Sequence, residues 1–292
     1  MLKKATFLIV LAFAQQLFAC VGANQIGMSG AGGEVLADNS SACYWNASLL
    51  KNLKQPEISY CHSFKNELAK VIVRYNEVFS CGMPIGTNKK IAIGGMYIYS
   101  DRTISNFEKI EVWEMTMFSV GIEAYRKAQT KILTGATIGL NHLRQPLSNV
   151  DKYFLGVDFG FAIIGESAIF KNDEFRLGGL YQGSSGNVRP SISETIPNFG
   201  DKGRLTGTVS IYDFFESGGM RHSRLGIRQS IDTTIGNIAL ETGVTKRQLS
   251  PSMDSKSFGL SYEPKSESYK ISIARHNYLE SRTTLLELSK RF

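Results

Sequence analysis

The sequence predicts an all-β fold, an antiparallel transmembrane β-barrel of about 12–14 strands. Three observations predict it. The chain ends on an aromatic residue, Phe292, at the tip of a segment with strand period. Alternating segments separated by turn residues fill the chain from about Glu57 onward. The N-terminus has the pattern of an export signal.

The terminal segment is the first of these elements. Counting back from Phe292 by twos gives Lys290, Leu288, Leu286 and Thr284, while Leu285, Glu287, Ser289 and Arg291 fall on the other face. Free C-termini usually fray and carry polar residues. A terminal ring on a strand therefore marks a paired strand in an apolar layer, with Leu286, Leu288 and Phe292 as the closing-strand residues. Lys290 stands where such strands often place an aromatic.

At the other end, Lys3 and Lys4 precede an apolar run, Ala5 to Ala14, then Gln15-Gln16-Leu-Phe-Ala-Cys20. A basic region, a short apolar run and small residues make a secretory signal. The run is shorter than the ~18 apolar residues of a transmembrane helix. Cleavage falls after Ala19 or Ala23. Leu17-Phe-Ala-Cys20 also resembles a lipobox, which would leave Cys20 lipidated, although Phe18 is bulky for that motif. The expected division is a signal over 1–23, an N-terminal segment over 24–56 and a barrel over 57–292.

The chain holds 28 glycines and 17 phenylalanines, and its mean hydropathy of −0.11 excludes a helical membrane protein. A barrel is not excluded, because lipid-facing and lumen-facing residues average to a soluble-looking value. No repeat or long linker divides the chain. The formal charge is +7, yet Lys and Arg are scattered near turns rather than gathered in a stripe, so no nucleic-acid partner is expected. Solvated rims and contact with anionic lipid headgroups account for them. Cys20, Cys43, Cys61 and Cys81 show no metal-ligand spacing. If Cys20 is lost or lipidated, the other three allow at most one disulfide. No metal or cofactor is expected.

The clearest strand is Tyr153 to Ile163. Tyr153, Leu155, Val157, Phe159, Phe161 and Ile163 share one face; Phe154, Gly156, Asp158, Gly160 and Ala162 share the other. Small residues opposite a continuous apolar face suit a crowded barrel interior better than the solvent side of a sandwich. Lys131 to Asn141 repeats the pattern. Weaker examples run over Ile58–His62, Leu68–Phe79, Ile91–Tyr99, Val112–Arg126, Phe175–Gln182, Leu205–Asp213, Arg224–Ile231, Ile238–Lys246, Phe258–Glu263 and Tyr269–His276. With the terminal strand these make thirteen candidates, and because bacterial barrels close with an even number, fourteen is the favoured total. Turn chemistry at 86–90, 171–174, 250–255 and 264–268 separates them. The longest break, Ser184 to Lys202, carries Pro190 and Pro197 and reads as an external loop.

One segment has a recognisable signature. Residues 26–50 hold a Gly/Ala-rich stretch containing Gly30, then Ala37-Asp38-Asn39-Ser40-Ser41, the aromatic pair Tyr44-Trp45, and Asn46-Ala47-Ser48-Leu49-Leu50. This resembles the N-terminal signature of the FadL/PorV group of outer-membrane barrels, which shows Ala-Asp-Asp-Ala-Ser, an aromatic pair and Asn-Pro-Ala-Gly-Leu. Ala47 stands where that group has Pro, and Ser48 where it has Ala. The resemblance implies that the segment enters the barrel as a plug, with Gly30, Asp38, Ser41, Tyr44, Trp45 and Asn46 as its signature residues. Those residues either hold the plug or meet a ligand, and Tyr44 and Trp45 would equally suit a membrane interface.

The resemblance also implies a function in the outer membrane of a Gram-negative bacterium. The first reading is a passive channel for small hydrophobic molecules. The second is an accessory of type IX secretion, like PorV or PorQ, that binds or anchors exported proteins. Expected partners are outer-membrane lipid, the barrel assembly machinery, and either hydrophobic small molecules or secretion components. A barrel enzyme is disfavoured. His62, His142, His222 and His276 are the available bases, and Arg221-His222-Ser223 and Asn141-His142 the suggestive neighbours. Adjacent strand residues point to opposite faces, so neither is a ready dyad.

Overall fold

Side chains alternate across a strand, so fourteen strands with one apolar and one small or polar face close most favourably on themselves. The computed structural model shows this closure, and describes residues 25–26, 28, 30–67, 72–104, 109–167, 173–183, 186–199, 203–212, 222–247, 254–265, 268–278 and 281–292. The strands are β1 (Glu57–Glu67), β2 (Ile72–Ile85), β3 (Ile91–Ile104), β4 (Lys109–Lys127), β5 (Thr130–Gln145), β6 (Val150–Glu166) and β7 (Glu174–Gln182). They continue as β8 (Asn187–Phe199), β9 (Gly203–Tyr212), β10 (His222–Asp232), β11 (Gly236–Arg247), β12 (Ser255–Pro264), β13 (Tyr269–Tyr278) and β14 (Ser281–Arg291). Each pairs antiparallel with its chain neighbour, and β14 closes the barrel on β1 from Glu57↔Arg291 to Asn66↔Arg282.

The outward face carries a band of exposed apolar side chains, among them Phe118, Ile138, Phe159, Leu225, Phe258, Leu286 and Leu288. Exposed to water, an apolar surface this continuous would be a liability. A bilayer covers it, and closure of β14 on β1 removes the free sheet edges that an open sheet would present to hydrocarbon. The inward face is small and polar, with Ser59, Ser80, Ser119, Thr137, Ser191, Ser210, Ser261 and Ser272 buried. The wall is not level at the end remote from the chain termini. β6 pairs with β7 only from Asp158 to Glu166, so Val150–Val157 rises past the end of β7.

The strand missing from the thirteen is β8, which occupies most of the stretch expected to be an external loop. Its inward residues are Arg189, Ser191, Ser193 and Thr195, and Ile192 and Ile196 face out. Polar composition misled because this lumen face is itself polar. The prolines sit where a strand tolerates them. Pro190 precedes the first β8–β9 pair, Ser191↔Ser210, and Pro197 adjoins a register shift. A second correction concerns β2, expected to end at Phe79 but running on to Ile85, while residues 68–71 of that expectation lie outside the described residues. Residues 1–24, with Cys20 and both cleavage positions, lie outside the described residues.

Candidate functional site

The inner wall carries a row of small residues across six strands. Gly82 pairs with Gly94, Ala92 with Gly121, Gly121 with Gly135, Gly135 with Gly160, and Ala162 with Gly178. The N-terminal segment lies on this row. From Gly33 onward it folds as two short helices, α1 (Gly33–Leu36) and α2 (Ala42–Trp45), followed by a 3₁₀ turn over Ala47–Asn52. A Cβ added at the glycines of the row would collide with it. A Cβ at Gly160 would lie 1.9 Å from Asn46 Oδ1, one at Gly135 2.4 Å from Ser48 N, and one at Gly121 2.4 Å from Ala47 O. The strand glycines are a seat for backbone.

Polar side chains fasten the segment to its seat. Asn46 Nδ2 donates to the Glu34 carbonyl at 2.7 Å and to the Phe161 carbonyl of β6 at 2.9 Å. Its Oδ1 accepts from Ser48 N at 3.1 Å and Ser48 Oγ at 2.7 Å. Asp38 accepts from Asn52 Nδ2 at 2.7 Å and pairs with Arg176 of β7 at 2.6 Å. Arg176 also donates to the Val35 carbonyl at 3.0 Å. Ser41 donates its hydroxyl to Asn39 Oδ1. The Cys43 carbonyl accepts from Thr137 of β5 at 3.2 Å and Ser119 of β4 at 3.4 Å.

A further fastening ties the segment to barrel closure. The Ser40 N–H donates to Glu57 Oε1 at 2.8 Å, and Arg291 of β14 donates to Glu57 Oε2 at 3.1 Å while also pairing with Glu263. Neither Glu57 nor Arg291 stood out in the sequence, because their meeting needs the first and last strands side by side.

Packing supplies the rest. Trp45 is fully buried, edge-on to Tyr44 at 5.4 Å between ring centroids. A Cβ on Gly33 would lie 2.2 Å from the Trp45 ring. The alternative of an interface position for this pair is thereby corrected: both rings turn into the barrel. Gly30 and Gly32 have φ of 74°, a left-handed conformation that disfavours any side chain. Burial pushes the Cys43 thiol pKa up to about 12. Burial also lowers Lys51, which Glu123 of β4 opposes from 3.6 Å.

Beyond the glycine row, toward the end remote from the termini, the inner wall of β2–β5 turns apolar and sulfur-rich. Val78 pairs with Ile98, Ile98 with Met115, Met96 with Met117, and Trp113 with Leu143. All these residues point inward, and Met96, Ile98 and Met117 are buried in one cluster with Trp45 and Leu50. The signal for this patch was present as alternate methionines at 115 and 117, but its continuity across strands depends on register. The closing-strand residues Leu286, Leu288 and Phe292 face outward, and the Phe292 N–H donates to the Pro56 carbonyl at 3.0 Å. Lys290 Nζ lies 5.3 Å from the Phe292 ring centroid.

The histidines form no nucleophilic site among the described residues. His142 Nδ1 is 3.0 Å from Glu114 and Nε2 2.8 Å from Asp151, on the outward face, with its ring stacked on Tyr153. His62 faces outward beside Glu77. Cys43, Cys61 and Cys81 form no disulfide among the described residues. No three His, Cys, Asp or Glu side chains among the described residues converge as metal ligands.

No family model and no curated protein sequence matches the chain. Solved structures do match. A Pseudomonas aeruginosa FadL homologue superimposes with a TM-score of 0.60 at 10% identity, over 92% of this chain and 97% of that one. CymD, a monoaromatic hydrocarbon channel, gives 0.58 at 11% identity over 94% and 98% of the two chains. The chain has the FadL-type barrel fold. The P. putida toluene transporter TodX agrees, with a TM-score of 0.56 at 8% identity over 93% of this chain and 98% of that one. At these identities the likeness is one of fold; chemistry has to come from the residues of this FadL-type barrel itself.

Proposed function

We propose that the protein is an outer-membrane channel of a Gram-negative bacterium that passes small hydrophobic molecules, with residues 24–56 as its hatch. The observation that carries this reading is the inward apolar wall of Val78, Met96, Ile98, Trp113, Met115, Met117 and Leu143, which begins against Trp45 and Leu50 of the seated segment and continues past it toward the end remote from the termini. Methionine sulfur is polarisable and adapts to flat aromatic solutes, and the Trp113 ring adds a stacking surface. The names of the solved relatives, which include a toluene transporter and monoaromatic hydrocarbon channels, support the same substrate class.

The chain needs no chemistry for this task. An apolar solute leaving water for the methionine wall gains by desolvation alone. Its exit toward the end bearing the termini requires the hatch to shift on the glycine row, where contacts are tight but each fastening is a handful of hydrogen bonds. The test is uptake of labelled toluene by cells of an outer-membrane-bearing host with and without the protein. Faster uptake with the protein, slowed again by Met115→Ser/Met117→Ser at unchanged barrel level, is expected. Equal uptake with and without the protein refutes the channel.

A further inference from the structure

Three successive outward rows on β12, β13 and β14 change from apolar to basic toward the end remote from the termini. Leu260, Ile273 and Leu286 make the first row, Phe258, Arg275 and Thr284 the second, and Lys256, Asn277 and Arg282 the third. All nine are exposed. Lys256 and Arg282 flank Asn277, and Arg275 sits one row below on the same strand as Asn277. The diagonal spacing from Arg275 to each of the other two cations is roughly 7–8 Å between Cα atoms. Long side chains on that triangle can converge on one small anion.

These three cations are unlike their neighbours on the same rim. Lys109 pairs with Asp101 at 3.2 Å, Arg144 with Glu114 at 3.5 Å, and Lys246 with Asp254. Among the described residues no carboxylate pairs with Lys256, Arg275 or Arg282. Three like charges at this spacing repel one another on a sheet surface. They also stand one and two rows above exposed Leu260, Ile273 and Leu286, the order expected where hydrocarbon gives way to headgroups.

We infer that Lys256, Arg275 and Arg282, with Asn277 and Thr284 as neutral donors, bind the phosphate of an anionic lipid headgroup in the leaflet at this end of the barrel. The apolar row beneath receives the acyl chains of the same lipid, so the site selects a phosphorylated lipid over free phosphate. This inference rests on the membrane reading above.

The test takes the full chain folded in detergent and reads, by native mass spectrometry, its retention of diphosphorylated lipid A against the same lipid stripped of phosphate. Wild-type protein is expected to prefer the phosphorylated form by about tenfold. The variant K256Q/R275Q/R282Q is expected to lose that preference. Equal retention of both lipids by the wild type, or an undiminished preference in the variant, overturns the site. Displacement of lipid A by millimolar inorganic phosphate also overturns it, as a site for free anions. Heat-modifiable gel mobility of the same samples separates the two claims: a folded barrel without lipid preference defeats the headgroup site, whereas absence of any heat-modifiable form defeats the barrel.

Discussion

Replacing Asn46 by Ala should release the N-terminal segment from the wall without unfolding the barrel. Asn46 is fully buried and links three parts: the Glu34 carbonyl, the Phe161 carbonyl of β6 and the Ser48 amide and hydroxyl. The Ser48 contacts are local and can re-pair. The two carbonyls lose their donor in a site without ready substitutes, and each such loss costs about 1–2 kcal/mol. The seated state is then weakened by about 3 kcal/mol, which raises the population of the displaced segment roughly a hundredfold. Cys43 reports on this population, since its thiol is buried in the seated state and held protonated by a pKa of about 12. With Cys20, Cys61 and Cys81 removed, maleimide labelling of Cys43 at pH 8 should be slow in the parent and about a hundredfold faster in Asn46→Ala. Asn46→Asp, which keeps the acceptor but aims a carboxylate at two carbonyl oxygens, should open at least as far. Labelling rates within threefold of the parent for both variants would refute the role given to Asn46.

Gly160→Val should unseat the segment by collision with Asn46 and speed Cys43 labelling similarly, whereas Gly207→Ala, whose Cβ meets nothing within 4 Å, should be silent in the same assay. Arg291→Gln leaves the buried Glu57 without its cation, and a thermal midpoint lowered by several degrees in heat-modifiability assays is expected; an unchanged midpoint argues against the coupling of closure to the segment. Deleting Phe292 should lower the amount of assembled barrel in the outer membrane while export continues, and equal levels of truncated and full-length barrel would count against the closing-strand role. Removing residues 24–50 should raise permeability to hydrophobic solutes, measured by the same toluene uptake; no rise would mean that the segment does not gate passage.

Much of the wall was legible from residue order, and the reasons are local. The β6 alternation of Tyr153, Leu155, Val157, Phe159 and Phe161 against Gly156, Gly160 and Ala162 announces a strand with one greasy face. β8 was hidden because its inward residues are Arg189 and a run of serines and threonines, while its outward face breaks the apolar pattern of Val188, Ile192 and Ile196 with Pro190 and Glu194. The segment over residues 26–50 could be recognised as a unit, but its seat could not. Gly82, Gly94, Gly121, Gly135, Gly160 and Gly178 are spread over almost a hundred positions, and only antiparallel register makes them one row. The methionine wall is the same case, since Met96 and Met117 become neighbours through the β3–β4 pairing.

The sequence by itself determined that the chain is a barrel: side-chain period is a property of consecutive residues, and hydrophobic faces force closure wherever that period persists. It also determined the composition of the inner segment, with glycines where the backbone turns left-handed and Asn46 where two carbonyls need a donor. Only the tertiary structure decided what meets what. Glu57 finds Arg291 because the first and last strands pair, Asp38 finds Arg176 because the N-terminal segment lies against β7, and Lys256, Arg275 and Arg282 become a triangle on three adjacent strands. Those contacts join residues far apart in the chain, and their geometry is set by strand register, which no single segment of sequence contains.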